Sequence, residues 1–277
     1  MPRLTLRRPW GRLAVWVYGS GPEKILAIHG LAGSGRYWAG LRRALGDAYT
    51  VVAPDLAGFG ASDKPRDHDY SRAQHLADLE AVVAEVVETT SLTVVGHSMG
   101  GILAGLLTAT QMSRVHRLGL VAAPFPHGDG PPPPLATARA RDLTGRRRVF
   151  RTIVALWPVL SFFVRTRAYP HPVIADFLRN TPQSYWKTAS SLIWSGEAAS
   201  ELEPLRTYPG PALLLYSDTD STIWAQSRNA WTSLLPGADR LSAPGGHQLL
   251  LRTGFAPLAG WLRDTQSAEE GAAAASS

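Results

Sequence analysis

The amino-acid sequence predicts an α/β fold, a mainly parallel sheet with helices on both faces. Three observations carry this reading. Strand-like and helix-like patterns alternate through Val121, the rhythm of βαβ units. Apolar residues make up 45% of the 277 residues and charged residues 18%, a globular balance with enough chain to bury a large core. No 18-residue apolar run occurs, so no membrane span is expected.

The elements follow in order. Strands are expected at 4–6, 13–18, 24–29 and 49–53. A helix over 70–88 comes next, with Leu76, Leu79, Val82, Val83, Val86 and Val87 on one face. The apolar, β-branched run at 92–95 is a strand, and a small-residue helix opens at Gly101. A further strand ends near Ala122. A buried strand is expected over 211–216, a short one over Asp239–Ser242, and a helix-like segment over 249–263. Residues 267–277 are small and polar and read as a disordered tail.

Between the strand and helix in the middle of this pattern lies Gly96-His97-Ser98-Met99-Gly100. A G-x-S-x-G in that setting is a nucleophile elbow, which raises a serine hydroxyl on a strained turn. Side chains at 96 and 100 would clash where backbone meets backbone. The helix N-terminus turns free N–H groups toward an anion forming beside Ser98. A serine nucleophile needs a base, and the base an orienting acid. Of eight histidines, His247 lies in a late loop, Ala243-Pro244-Gly245-Gly246-His247. The acid is sought after the preceding strand, in Ser217-Asp218-Thr219-Asp220. Asp220 is the choice, with Asp218 as the alternative.

With these residues in order, the chain resembles the α/β-hydrolase superfamily of the Ser-His-Asp type, from about residue 12 to 264. His29-Gly30-Leu31-Ala32-Gly33-Ser34 resembles its oxyanion segment, and Asp55-Leu56-Ala57-Gly58-Phe59-Gly60-Ala61-Ser62-Asp63 its D-x-x-G-x-G-x-S loop. One departure stands out: Ser217 occupies the usual glycine of the acid turn. The resemblance implies an eight-stranded sheet, a catalytic trio of Ser98, His247 and Asp220, and oxyanion donors from the backbone N–H groups of Met99 and Leu31, with Ala32 second to Leu31. It also implies a helical cap over 127–205, leaving 1–126 and 206–266 as the core domain.

The remaining histidines carry less. His97 is expected to pack into the elbow and His29 to shape the oxyanion segment by hydrogen bonding backbone. His68, His75, His116, His127 and His171 read as surface or cap residues. Asp55 reads as structural. No metal-ligand or nucleotide-binding motif appears, so no cofactor or metal is expected.

The insertion opens with Gly128-Asp129-Gly130-Pro131-Pro132-Pro133-Pro134, a stiff hinge. Helix-forming segments follow around 135–143, 147–164, 173–180 and 182–194. Residues 127–199 hold ten Lys/Arg against four acids, a net +6 that equals the charge of the whole chain. Nine of the ten are arginine, suited to bidentate carboxylate or phosphate contacts. Two readings compete for this face, a solvated surface or a dock for an acidic carrier protein, a CoA thioester or an anionic membrane. Trp157, Trp186 and Trp194 are the candidates for an apolar substrate pocket. Nucleic acid fits poorly, because the basic residues accompany no binding motif. The absence of cysteine and of an apolar leader suits a cytoplasmic protein. The expected activity is hydrolysis of an ester or thioester of a bulky apolar substrate. The alternative is an acyltransferase, cyclase or acyl-eliminating enzyme of specialised metabolism on the same trio, and a binding-only protein is the third reading.

Overall fold

The computed structural model describes residues 3–87, 89, 91–126, 179–223 and 225–275. Eight strands form one sheet: β1 (Arg3–Arg8), β2 (Gly11–Tyr18), β3 (Glu23–Ile28), β4 (Tyr49–Pro54), β5 (Leu92–His97), β6 (Val115–Val121), β7 (Ala212–Tyr216) and β8 (Asp239–Ser242). Their spatial order is β1-β2-β4-β3-β5-β6-β7-β8. β2 runs antiparallel to both neighbours, and every pairing from β4 to β8 is parallel. The chain leaves β3 toward β4 on one side and returns to β5 on the other. That reversal opens a crevice at the C-terminal ends of the strands, the usual ligand position in such sheets.

Burial explains the pattern. β4, β5 and β7 are buried at every residue, as strands covered on both faces must be. Among the described residues the helices are α1 (Ala39–Leu45), α2 (Arg72–Val82), α3 (Met99–Thr110), α4 (Pro182–Ala189), α5 (Ala198–Leu202), α6 (Ala225–Leu234), α7 (Leu249–Arg252) and α8 (Ala256–Ala275). The first ten residues of α3 are all buried; a helix apolar on every side belongs inside. β8 closes one edge with all four residues exposed, so backbone pairing with β7 rather than burial makes it a strand.

Several expectations change. The helix expected over 70–88 starts at Arg72, capped by the Ser71 hydroxyl accepting from the Gln74 N–H, and its last turn, Val83–Val87, widens to a π-helix. The segment expected over 249–263 is two helices, parted at Gly254, whose φ of +87° suits a residue without a Cβ. The tail expected to be disordered from 267 continues α8 to Ala275. Alanine and glutamate are strong helix formers, and extending an existing helix orders only one residue per added bond. His75 and His68, read as surface or cap residues, are both buried.

Of the insertion, the hinge at 128–134, Trp157 and the segments around 135–143, 147–164 and 173–178 lie outside the described residues. Its described end comprises α4, a π-turn over Ser190–Trp194, α5 and a 3-10 turn over Glu203–Thr207. α4 begins with a capping box. The Thr181 hydroxyl accepts from the Ser184 N–H, and the Ser184 hydroxyl accepts from the Thr181 N–H.

Candidate active site

Ser98 sits between β5 and α3 with φ +54° and ψ −126°, strained for a residue with a Cβ. Two backbone hydrogen bonds hold it there. Its N–H donates to the Val121 carbonyl at 2.8 Å, and its own carbonyl accepts from the Gly101 N–H at 2.8 Å. Backbone approaches so closely that a Cβ on Gly96 would lie 2.1 Å from the Gly100 carbonyl oxygen, and one on Gly100 would lie 2.3 Å from that of Ile28. The first-turn N–H groups of α3, Met99 first, have no partner within the helix.

His247 follows β8 in a short turn over Gly246–Gln248. Its Nε2 lies 2.9 Å from the Ser98 hydroxyl and its Nδ1 lies 3.1 Å from Asp220 Oδ2. With Nδ1–H donating to the carboxylate, Nε2 is free to accept the serine proton. Asp220 follows β7. Its Oδ1 accepts the N–H groups of Thr222 at 2.8 Å and Ile223 at 3.2 Å. Burial opposes the charge on Asp220. The hydrogen bond and charge of His247 and those two N–H groups nevertheless hold its carboxyl below the ordinary carboxylate range. Asp218, the alternative acid, is exposed and accepts from the Ser242 hydroxyl at 2.8 Å instead.

Two side chains whose partners the sequence did not announce tie this assembly together. His97 is buried, and its Nε2–H donates to the main-chain carbonyl of His247 at 2.9 Å. Burial, and then the nearby His247, push the His97 imidazole down to about 3, so it stays neutral and keeps that donor. Its ring stacks on Tyr37 with centroids 5.1 Å apart. The second is Ser217. Its hydroxyl accepts the Gly246 N–H at 3.0 Å, so the departure from glycine clips the acid turn to the histidine loop. No spacing in the chain announces either contact.

The segment after β3 lies against the elbow. A Cβ on Gly30 would meet Ser98 Cβ at 3.1 Å. The Gly33 N–H donates to the Gly30 carbonyl at 3.0 Å, closing a turn in which Ala32 takes φ +63°. For an L-residue that conformation costs roughly 1–2 kcal/mol, so other contacts must hold it. His29 supplies one: its Nδ1–H donates to the Gly30 carbonyl at 2.7 Å, while Nε2 accepts the Leu56 N–H at 3.0 Å. Asp55, fully buried, accepts from the Gly35 N–H at 2.6 Å, the Ala61 N–H at 2.7 Å and the Trp16 indole at 3.0 Å. That occupancy gives it a structural task.

Trp186 and Trp194 pair at 5.1 Å between ring centroids. Trp186 lines an open groove with Asp69, Ser71, Lys187, Ser190, Ser191 and Glu197, and none of Ser98, His247 and Asp220 lines it. Among the described residues no three His, Asp or Glu converge to hold a metal ion.

A strained serine at a strand–helix elbow, a histidine after the last strand and an acid after the one before it now stand together. A model of the family described as the alpha/beta hydrolase fold matches residues 24–252. The chain belongs to the alpha/beta hydrolases. An uncharacterized protein of Mycobacterium tuberculosis is 41% identical over 123 residues, 44% of this chain and 35% of its own length. A protein of Arabidopsis thaliana named "Probable lysophospholipase BODYGUARD 4" is 29% identical over 224 residues, 73% of this chain and 54% of its own. The chain therefore matches between about a third and about a half of the length of these relatives. Among solved alpha/beta hydrolase structures, the thioesterase domain from the curacin biosynthetic pathway superposes with a TM-score of 0.67 at 23% identity, covering 94% of this chain and 98% of that one. At that identity the likeness is one of fold.

Proposed function

We propose that this alpha/beta hydrolase cleaves an ester or thioester of a bulky apolar acyl substrate through an acyl-enzyme on Ser98. The observation that carries the reading is the unbroken chain from the Ser98 hydroxyl through His247 to Asp220, at 2.9 and 3.1 Å. In the first step Ser98 Oγ attacks the carbonyl carbon while its proton passes to His247 Nε2. Asp220 holds the tautomer and stabilises the imidazolium that forms. The tetrahedral oxyanion accepts from the N–H groups of Met99 and Leu31. Collapse expels the alcohol or thiol, which takes the proton from His247. Water, activated by the same imidazole, then attacks the acyl-enzyme, and Ser98 leaves as its hydroxyl. A relative named as a probable lysophospholipase supports this reaction class.

A second reading rests on a separate observation: the net +6 of the chain is carried by residues 127–199. A substrate linked to an acidic carrier or CoA would meet that charge, and transfer, cyclisation or acyl elimination would then replace hydrolysis.

The test pairs a fluorophosphonate probe with p-nitrophenyl esters of increasing chain length, on wild type and Ser98→Ala. Labelling of Ser98 with a chain-length optimum is the expected result. Labelling without ester turnover moves the assignment to the second reading. Ester turnover that survives Ser98→Ala overturns both.

A further inference from the structure

The described end of the insertion reaches the oxyanion turn through one side chain. Asn180, just before α4, donates from Nδ2 to the Ala32 carbonyl at 3.1 Å. Only the amide nitrogen can face that carbonyl, so the orientation of the group is fixed by chemistry. Among the described residues its Oδ1 is buried without a hydrogen-bond partner. A buried acceptor left unpaired is a cost, and the contact obtained in return is the one to Ala32. The turn it meets is the strained one, with Ala32 at φ +63°.

The same segment also packs against a loop that braces that turn. Ser184, in the capping box of α4, stands so close to Gly58 that a Cβ there would lie 2.4 Å from its own. Gly58 belongs to the loop that follows Asp55. From that loop the Leu56 N–H fixes His29, and His29 fixes the Gly30 carbonyl. Residues 180–184 thus touch the turn directly at Ala32 and indirectly at Gly30.

We propose that Asn180 is a positioning residue that sets the oxyanion turn, making the insertion part of the machinery that receives negative charge. The proposal rests on the serine-hydrolase reading. In it the amide holds Ala32 in its left-handed conformation, so that the N–H of the neighbouring Leu31 keeps its aim beside Ser98. The side chain itself touches neither substrate nor nucleophile.

The experiment measures the rate of fluorophosphonate labelling of Ser98 in the full chain, because the phosphonyl oxygen takes the position of the oxyanion. Asn180→Ala removes the donor, and Asn180→Asp sets a carboxylate against the Ala32 carbonyl. Each is expected to slow labelling by about tenfold or more, short of the loss of a whole oxyanion donor. The deciding variant is Ala32→Gly. Glycine accepts a positive φ without strain, so in that background Asn180→Ala is expected to cost less than about threefold. A merely structural role for Asn180 predicts the same loss in both backgrounds, and that result overturns the proposal. So does labelling within twofold of wild type for both Asn180 variants. If Asn180→Ala does not fold, Asn180→Ser repeats the comparison with a shorter side chain. Wild type that is not labelled at Ser98 overturns the serine-hydrolase reading and this proposal together. Labelled wild type with unaffected variants overturns this proposal alone.

Discussion

The sheet side of the active site and the insertion side are held by different forces. On the sheet side, Ser98 rests on backbone contacts and a helix buried along its first ten residues, with Gly96 and Gly100 letting main chains approach. On the insertion side, polar side chains do the holding. Arg72 at the start of α2 pairs with Glu197 at 2.7 Å and Glu201 at 2.5 Å, and its N–H meets the Ser191 hydroxyl at 2.8 Å. Lys187 Nζ donates to the His68 carbonyl at 2.9 Å, and buried His75 bonds the Thr188 hydroxyl at 3.0 Å. Close-packed backbone resists salt, whereas ion pairs at the surface respond to it. The chemistry is built into the rigid half and its environment is tied on by the responsive half.

The comparison can be broken hardest at the nucleophile. Ser98→Ala and His247→Ala should each lower turnover by about six orders of magnitude, and the double variant should be scarcely worse than either. Steady-state ester kinetics read this. Asp220→Asn should cost about four orders with the fold intact, while Asp218→Asn, whose partner is only Ser242, should cost less than about twofold. The reverse ranking would move the acid to Asp218.

Acid should act on both halves. Burial, with repulsion from neighbouring imidazoles, pushes His75 and His97 down to about 3. The unfolded imidazoles take protons near the ordinary 6.5. Stability is therefore complete above pH 6.5 and is lost as pH falls from there toward 3, by about 1.4 kcal/mol per unit for each histidine. Urea midpoints across pH 7 to 4 should show a slope that His97→Gln reduces. An unchanged slope would mean that His97 takes its proton without cost to the fold.

The smallest effect isolates the polar tie. Arg72→Ala should lower the unfolding free energy by about 1 kcal/mol, and 1 M salt should shrink its difference from wild type. Thermal melts in low and high salt read this. A difference that salt leaves unchanged would assign Arg72 a packing role.

Much of this was legible in the chain, for physical reasons. Apolar runs buried on both faces announce β3 to β7, and a motif confined to five residues announces the elbow. The helices that escaped notice are those with weak patterns. α1 has seven residues and buries only Leu41 and Leu45, while α6 buries a serine beside Trp231 and Leu234. β8 falls where the short strand is expected, yet it is exposed along its whole length. The contacts that brace the site around Ser98, His247 and Asp220 left no trace in the chain. His97 reaches His247 across 150 positions, Asn180 reaches Ala32 across 148, and Ser217 reaches Gly246 across 29. Spacing along a chain cannot encode hydrogen bonds that only the folded sheet brings within reach.

The entry and exit of the insertion have a consequence for exchange between proteins. The chain leaves the sheet at the end of β6 and re-enters at β7, and these strands are parallel neighbours in register from Leu118 opposite Ala212 to Val121 opposite Leu215. To the strand pairing, everything between them is one crossover link, but its described end is also core: Leu192, Ala198, Leu202 and Leu205 are buried there. A graft at this crossover therefore keeps the sheet only if it leaves those four apolar side chains in place.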